Sequence, residues 1–294
     1  MGKPWFDASP EARAVFERAD KVAGSRLGTP LSQLCFAGPV ERLNATDASQ
    51  PAIFVSSFAC WKALLAKWSF GNGEADVAAT AGLSLGEYTA LTLAGAIEFE
   101  AALELVLLRG RAMQDAAETS AGGMVALIGA DEAQAQAVCD QARQSDALVC
   151  ANFNAPGQIV LSGHKVACDR AAAVAQTMGI RATPLVVAGA FHSPLMQPAA
   201  DRLREALAGT PIRTPRCPVI SNVTAQAHLA DPESIRRRLA EQLTSPVRWS
   251  QSCAYLAANV PGEFHELCPG KTLAGLMRRI DKNVKVVTHD DPNS

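Results

Sequence analysis

The chain lacks the residue spacings that bind metals. Its eight cysteines (Cys35, Cys60, Cys139, Cys150, Cys168, Cys217, Cys253 and Cys268) include no C-x-x-C pair. Its five histidines include no H-x-x-x-H or H-E-x-x-H arrangement. The common zinc-site patterns are therefore excluded, and 294 residues need no disulfide framework to close a core. Scattered thiols fit a reducing compartment, so a cytoplasmic setting is expected, or the plastid stroma in a plant or alga. No apolar run approaches the ~20 residues that span a bilayer, so no membrane partner is expected. The opening Met1-Gly2-Lys3-Pro4-Trp5-Phe6-Asp7 has neither the apolar core of a secretory signal nor transit-peptide character. A formal net charge of −2 lacks the basic excess that nucleic-acid binding requires. No internal repeat or low-complexity segment is visible. With 48% hydrophobic and 19% charged residues, the chain reads as a soluble enzyme: one large domain with an insertion, or two modest domains.

What is present starts at Gly82-Leu83-Ser84-Leu85-Gly86, a G-x-S-x-G pattern. Before it, Ala75–Ala81 predicts a short buried strand of small and β-branched residues. After it, Glu87–Ala94 predicts a helix ending near Gly95. A serine on a sharp strand-to-helix turn has its hydroxyl lifted clear of the sheet. The helix that follows points free N–H groups and its positive dipole end at that serine, where an oxyanion would form. Ser84 is the candidate nucleophile.

Along the chain, helices are expected over Pro10–Val22, Gln50–Trp68 and Glu100–Glu118, the last with Leu103, Val106, Leu107 and Met113 at helical spacing. The loop 69–74 leads into the serine strand. A different rhythm follows: strand Gly123–Gly129, helix Asp131–Gln144, strand Leu148–Asn154, strand Gln158–Gly163, helix Lys165–Met178 and strand Arg181–Val187. This βαββαβ order is the ferredoxin-like unit, able to close a small core of its own. Its place between two stretches of α/β character marks it as an insertion. The expected division is residues 122–188 for the small subdomain, with 1–121 and 189–294 forming the large one.

A serine hydroxyl needs a base, and a histidine with a pKa near ~6.5 suits that task. His192, in Gly189-Ala190-Phe191-His192-Ser193-Pro194, lies in a loop where the chain leaves the inserted unit. Position alone barely separates it from His164, His228, His265 and His289, and no acidic partner stands out. A backbone carbonyl or an amide can fix the tautomer instead. Arg109 is the one charge in Leu105-Val106-Leu107-Leu108-Arg109, a run too apolar for a solvated face. Its fork would grip an acyl group carrying a free carboxylate, or would pair with Glu104 or Asp115. Both roles stay open on the residues alone.

Five motifs occur in order: Gly-Leu-Ser-Leu-Gly-Glu-Tyr (82–88), Leu-Arg-Gly-Arg-Ala-Met-Gln (108–114), Asn-Phe-Asn-Ala-Pro-Gly-Gln (152–158), Gly-Ala-Phe-His-Ser-Pro-Leu-Met (189–196) and Pro-Gly-Lys-Thr-Leu (269–273). Together they resemble the malonyl-CoA:acyl carrier protein transacylases, over essentially the whole chain. The resemblance implies an α/β-hydrolase-like large subdomain with an inserted ferredoxin-like small one. It implies a ping-pong reaction in which the serine takes malonyl from CoA and passes it to the phosphopantetheine thiol of acyl carrier protein. The partners implied are malonyl-CoA, as a substrate, and acyl carrier protein, with no cofactor and a monomeric enzyme.

Position by position, Ser84 matches the nucleophile, His192 the base and Arg109 the residue that binds the malonyl carboxylate. Gln242 matches the glutamine whose neighbourhood orients the histidine, and the Leu85 N–H matches one oxyanion donor. Phe191 resembles the malonyl-selecting form of its motif, in which a bulky ring leaves little space for a methyl branch. Leu83 departs from the family's usual histidine. The family also begins with a strand and a Gly-Gln-Gly loop, and Met1-Gly2-Lys3 resembles only the tail of that loop. The resemblance thus implies that this strand and a second oxyanion contact are missing. A serine hydrolase or thioesterase, and a non-catalytic carrier-protein-binding remnant, are the alternatives. Basic residues near the cleft mouth (Arg236, Arg237, Arg238 and Lys271) are candidate contacts to an acidic carrier protein, although the arginine run reads first as a solvated helix face.

Overall fold

The computed structural model describes residues 1–68 and 76–293. The first part is helical: α1 (Lys3–Ala8), α2 (Pro10–Ala23), α3 (Leu31–Ala37), α4 (Val40–Asn44) and α5 (Thr46–Trp68). Ser9 caps α2 by accepting from the Ala12 N–H, and Pro10 fills the first turn, where no N–H is needed. The α2 face carrying Ala12, Val15, Phe16, Ala19 and Ala23 is buried at the i, i+3, i+4 spacing of a helix on a core. Helix α5 is apolar nearly all round and lies inside the molecule. It begins four residues before the expected Gln50, with Asp47 in its first turn complementing the helix dipole.

Two further helices follow, α6 (Gly86–Leu93) and α7 (Phe99–Thr119). Phe54 and Phe58 of α5 stack on Phe99 of α7, with ring centroids 5.6 and 4.7 Å apart. The two helices cross closely near Gly110, where a Cβ would lie 3.0 Å from both Asp47 Cα and the Thr46 carbonyl oxygen. Only a glycine fits that crossing without a shift.

The strand expected over Ala75–Ala81 needs correction. Ala75 and the 69–74 loop lie outside the described residues, and 76–79 carry no regular structure. A strand extends only as far as its neighbours do. Here pairing is confined to Thr80, whose N–H donates to the Pro218 carbonyl at 2.9 Å and whose carbonyl accepts from the Ile220 N–H at 3.0 Å. That makes a single parallel bridge to Val219. Asp76 and Ala78 are exposed, so the segment is not the buried strand its apolar composition suggested.

The middle of the chain forms β1 (Gly122–Ile128), α8 (Glu132–Arg143), β2 (Leu148–Ala155), β3 (Gln158–His164), α9 (Lys165–Thr177) and β4 (Arg181–Pro184). The antiparallel sheet runs β2-β3-β1-β4, the ferredoxin-like order. Val125 faces Leu161 and Leu127 faces Ile159 in register. One face of the sheet packs these residues with Val138, Cys139, Cys168 and Ala171 of the helices into a separate core. Asp131 opens α8 with a capping box closed by Gln134. Strand β4 stops three residues short of expectation: the Leu185 N–H makes a last bond to the Met124 carbonyl of β1, and the chain then leaves the sheet with Leu185, Val186 and Val187 exposed.

The chain returns through α10 (Gln197–Gly209), α11 (Pro232–Glu241), α12 (Trp249–Asn259), β5 (Phe264–Leu267), α13 (Thr272–Ile280) and β6 (Val286–His289). Strands β5 and β6 pair in parallel, so the larger part is mixed α/β, as an α/β-hydrolase-like fold requires. Two backbone bonds join it to the small sheet: Phe153 N–H to the Val247 carbonyl at 2.9 Å, and Val247 N–H to the Ala151 carbonyl at 2.8 Å. No helix among the described residues is long and apolar enough to cross a membrane.

Candidate active site

Ser84 stands in the turn that opens α6, with a φ of +51°, the left-handed region that L side chains avoid. Space for the turn comes from Gly82, where a Cβ would sit 2.0 Å from the Gly86 carbonyl carbon. Two side chains hold the strained residue. Asn222 Oδ1 accepts from the Ser84 N–H at 2.6 Å, and Gln242 Nε2 donates to the Ser84 carbonyl at 2.9 Å. Asn222 Nδ2 also donates to the Gly82 carbonyl at 2.7 Å. Leu85, the next residue, has no acceptor for its N–H among the described residues, which leaves that donor available beside the serine.

His192 is also left-handed, at φ +56°, and is 4% exposed. Its Nδ1 lies 2.8 Å from the Gln242 carbonyl, an acceptor, so Nδ1 carries the proton. Nε2 is then free to accept, and the Ser84 hydroxyl lies 2.8 Å away. Burial, reinforced by the nearby Arg109 charge, lowers the His192 pKa to about 4, so at neutral pH the ring is an uncharged acceptor. None of the other histidines touches Ser84. His164 pairs with Asp146, His228 with Glu87, and His265 stacks on His289.

Arg109 is 1% exposed, and its guanidinium reaches the same point. Nη2 donates to Ser84 Oγ at 3.0 Å and to Gln242 Oε1 at 2.9 Å, while Nη1 donates to Gln50 Oε1. The face of Tyr88 lies 5.6 Å from its carbon centre. Each hydrogen-bond partner is neutral. The carboxylates that could have claimed it are engaged with other arginines: Glu104 with Arg26, and Asp115 with Arg111 and Arg202. Burial pulls the Arg109 pKa down, against the pull of Tyr88 and Glu87, yet a guanidinium does not deprotonate in this setting. The site therefore holds a buried positive charge beside the serine, with amides for company.

Gln50, Glu87 and Asn222 belong to this site and escape a reading of the sequence, while His228, weighed there as a base, stands behind Glu87 instead. Gln50 sits in an apolar helix, and Glu87 reads as an ordinary acid in a helix's first turn. Only Asn222, in Ser221-Asn222-Val223-Thr224 after an apolar run, left a polar signal near a turn.

Residues 1–288 match the acyl transferase domain family. The malonyl CoA-acyl carrier protein transacylase of Escherichia coli K12 is 38% identical over 281 residues, covering 95% of this chain and 89% of its own length. The chain belongs to this transacylase family. An acyl-carrier-protein S-malonyltransferase of Bartonella henselae matches the fold with a TM-score of 0.93 at 37% identity, over 100% of this chain and 91% of its own. A malonyl-transacylase solved in complex with a type II polyketide acyl-carrier protein matches with a TM-score of 0.91 at 36% identity, over 100% and 92%.

In this transacylase Phe191 is half-buried between the two parts of the molecule, against both the main core and a small cluster of Met124, Ala126, Ala151 and Val160. Leu83 packs the other way, with Ala155, Val247 and Trp249. The arginine run of α11 differs from the expected free cations. Arg236 pairs with Glu233 and donates to the Leu207 and Thr210 carbonyls, while Arg237 and Arg238 lie against Glu241. Arg236 thus ties α11 to the end of α10, while the Arg237 and Arg238 pairs stay within α11.

Proposed function

We propose that this chain moves malonyl from malonyl-CoA to the phosphopantetheine thiol of acyl carrier protein, supplying fatty acid synthesis. In the first half-reaction His192 Nε2 takes the Ser84 proton as Oγ attacks the thioester carbonyl. The Leu85 N–H donates to the oxyanion, and the C–S bond breaks as the imidazolium returns the proton to the CoA sulfur. In the second, the carrier thiol gives its proton to His192, attacks the malonyl-serine ester, and Ser84 Oγ leaves as the hydroxyl. The Gln242 carbonyl keeps the imidazole in one tautomer through both. Phe191 narrows the acyl site against a branched chain. The same reading sets the work in the cytoplasm, by a monomer, without a cofactor.

The observation that carries this reading is the Arg109 guanidinium, buried without a carboxylate partner and 3.0 Å from Ser84 Oγ. A three-carbon acyl group on that oxygen brings its far carboxylate back within reach of the fork. A thioesterase, passing its acyl group to water, has no use for this charge. Intact-mass spectrometry after mixing with malonyl-CoA should show one malonyl adduct, absent in Ser84→Ala. Arg109→Ala should slow malonylation by roughly 100-fold or more, the equivalent of a ~3 kcal/mol charge-assisted contact, while acetylation holds or rises. Equal losses for both acyl groups would make Arg109 a structural residue.

A further inference from the structure

Beneath the serine turn lies a carboxylate that the chemistry above does not use. Glu87 and His228 are both fully buried, and His228 Nε2 donates to Glu87 Oε1 at 2.6 Å. The other oxygen, Oε2, accepts twice: from Gln242 Nε2 at 2.6 Å and from the Asn222 main-chain N–H at 3.1 Å. Those two residues are the ones that grip Ser84, Asn222 at its N–H and Gln242 at its carbonyl. One carboxylate oxygen thus stands at the fork of both clamps.

The arrangement also fixes which way the Gln242 amide faces. A carboxylate and a backbone carbonyl can only accept, so the amide turns its NH2 to Glu87 and Ser84. Its oxygen is thereby presented to Arg109 Nη2, 2.9 Å away. Were the amide reversed, NH2 would meet guanidinium, donor against donor, and Arg109 would be driven from its position beside Oγ. The Gln242 main chain, part of the same held residue, carries the carbonyl that orients His192.

We infer that Glu87 is the positioning residue of this site: by orienting Gln242 and Asn222 it sets the Ser84 turn and the direction of Arg109, with His228 steadying its far oxygen. The inference rests on the acyl-transfer reading of Ser84 and adds a source for its preference for carboxylated acyl groups. Since Glu87 touches neither the acyl group nor the reacting atoms, its loss should appear in selectivity as well as in rate.

The test compares single-turnover malonylation and acetylation of Ser84 by intact mass in wild type, Glu87→Gln, Glu87→Ala and His228→Gln, with a thermal melt for each. Glu87→Gln keeps the shape but removes the charge and leaves one acceptor oxygen where three donors need two, so malonylation should fall about tenfold or more, the effect of one charge-assisted hydrogen bond. The malonyl-to-acetyl ratio should fall with it. His228→Gln keeps a donor to Glu87 and should lie between that variant and wild type. Adding Gln242→Ala to Glu87→Gln should cost less than the two single effects combined, because both act through one amide. An unchanged ratio, whether rates hold or fall together with the melting temperature, overturns the inference. If Glu87→Ala fails to fold, the isosteric Glu87→Gln and His228→Gln decide between the same outcomes. A wild type that takes no malonyl sinks the acyl-transfer reading instead, which separates the two failures.

Discussion

At the scale of the residue, the behaviour of His192 with pH follows from its surroundings. Burial first, and the Arg109 charge second, hold its pKa near about 4 against an ordinary value of 6.5. Its capacity to accept the Ser84 proton should therefore persist well below pH 6. The acylation rate, followed by CoA release in single turnover, should stay flat from pH 8 to below 6 and bend downward only toward the lower value. A limb centred at 6.5 would contradict that burial. The stability effect has a definite sign. A depressed folded-state pKa means that the unfolded chain binds more protons below 6.5, so stability from the neutral ring is complete above 6.5 and drains away as pH falls toward about 4. This lowered pKa was not legible from the sequence, where position barely separated the histidines and the motif around His192 pointed to a base without showing its surroundings. What singles out His192 is a carbonyl from residue 242 and a guanidinium from α7, both brought in from far along the chain.

At the scale of the element, the serine turn shows what local sequence specifies. The two glycines of Gly82-Leu83-Ser84-Leu85-Gly86 look equivalent in the motif, and the structure separates them. A Cβ on Gly82 would overlap the Gly86 backbone, whereas one on Gly86 meets open space. Gly82→Ala should therefore lose roughly 3 kcal/mol by overpacking, together with most acylation, while Gly86→Ala keeps its melting temperature. Calorimetry on the two variants checks this, and equal losses would mean that the close approach is unimportant. The inserted unit was legible because short apolar runs bounded by turn residues alternate there with helical stretches, and its strands came out within a few residues. The segment before the serine was not, because a strand is defined by its neighbours. Its small apolar residues fit a buried strand, yet only Thr80 has a backbone pair. Likewise Leu185–Val187 have strand-like composition, yet only the Leu185 N–H still reaches the sheet, at the Met124 carbonyl, and all three side chains are exposed.

At the scale of the whole molecule, the two packed cores meet around the site. Strand β2 pairs with Val247, five residues past Gln242, and Phe191 wedges between the sheet and the main core. The order of the parts could be read from the chain, but this convergence could not, since it depends on long-range contacts with no local signature. Two further measurements belong here. If acidic carrier protein docks through exposed cations such as Lys271, transfer to it should weaken as salt rises past physiological strength, where the screening length is about 8 Å. Salt-independent transfer would count against that surface. Malonyl-CoA should also raise the melting temperature of Ser84→Ala more than acetyl-CoA does, and the gap should vanish when Arg109→Ala is added. At about 100 times Kd, a ligand contributes ~2.7 kcal/mol to the folded state, enough for several degrees. The reason lies in a guanidinium whose hydrogen-bond partners, two amides and the Ser84 hydroxyl, are all neutral. Folding leaves that charge with no carboxylate in contact, since Glu87 stands behind the Gln242 amide, so the fork makes no direct ion pair until a substrate arrives. On the proposed acyl-transfer reading the acyl group is more than cargo: its carboxylate supplies the direct ion pair that the buried fork lacks, lent for one turnover and withdrawn with the product.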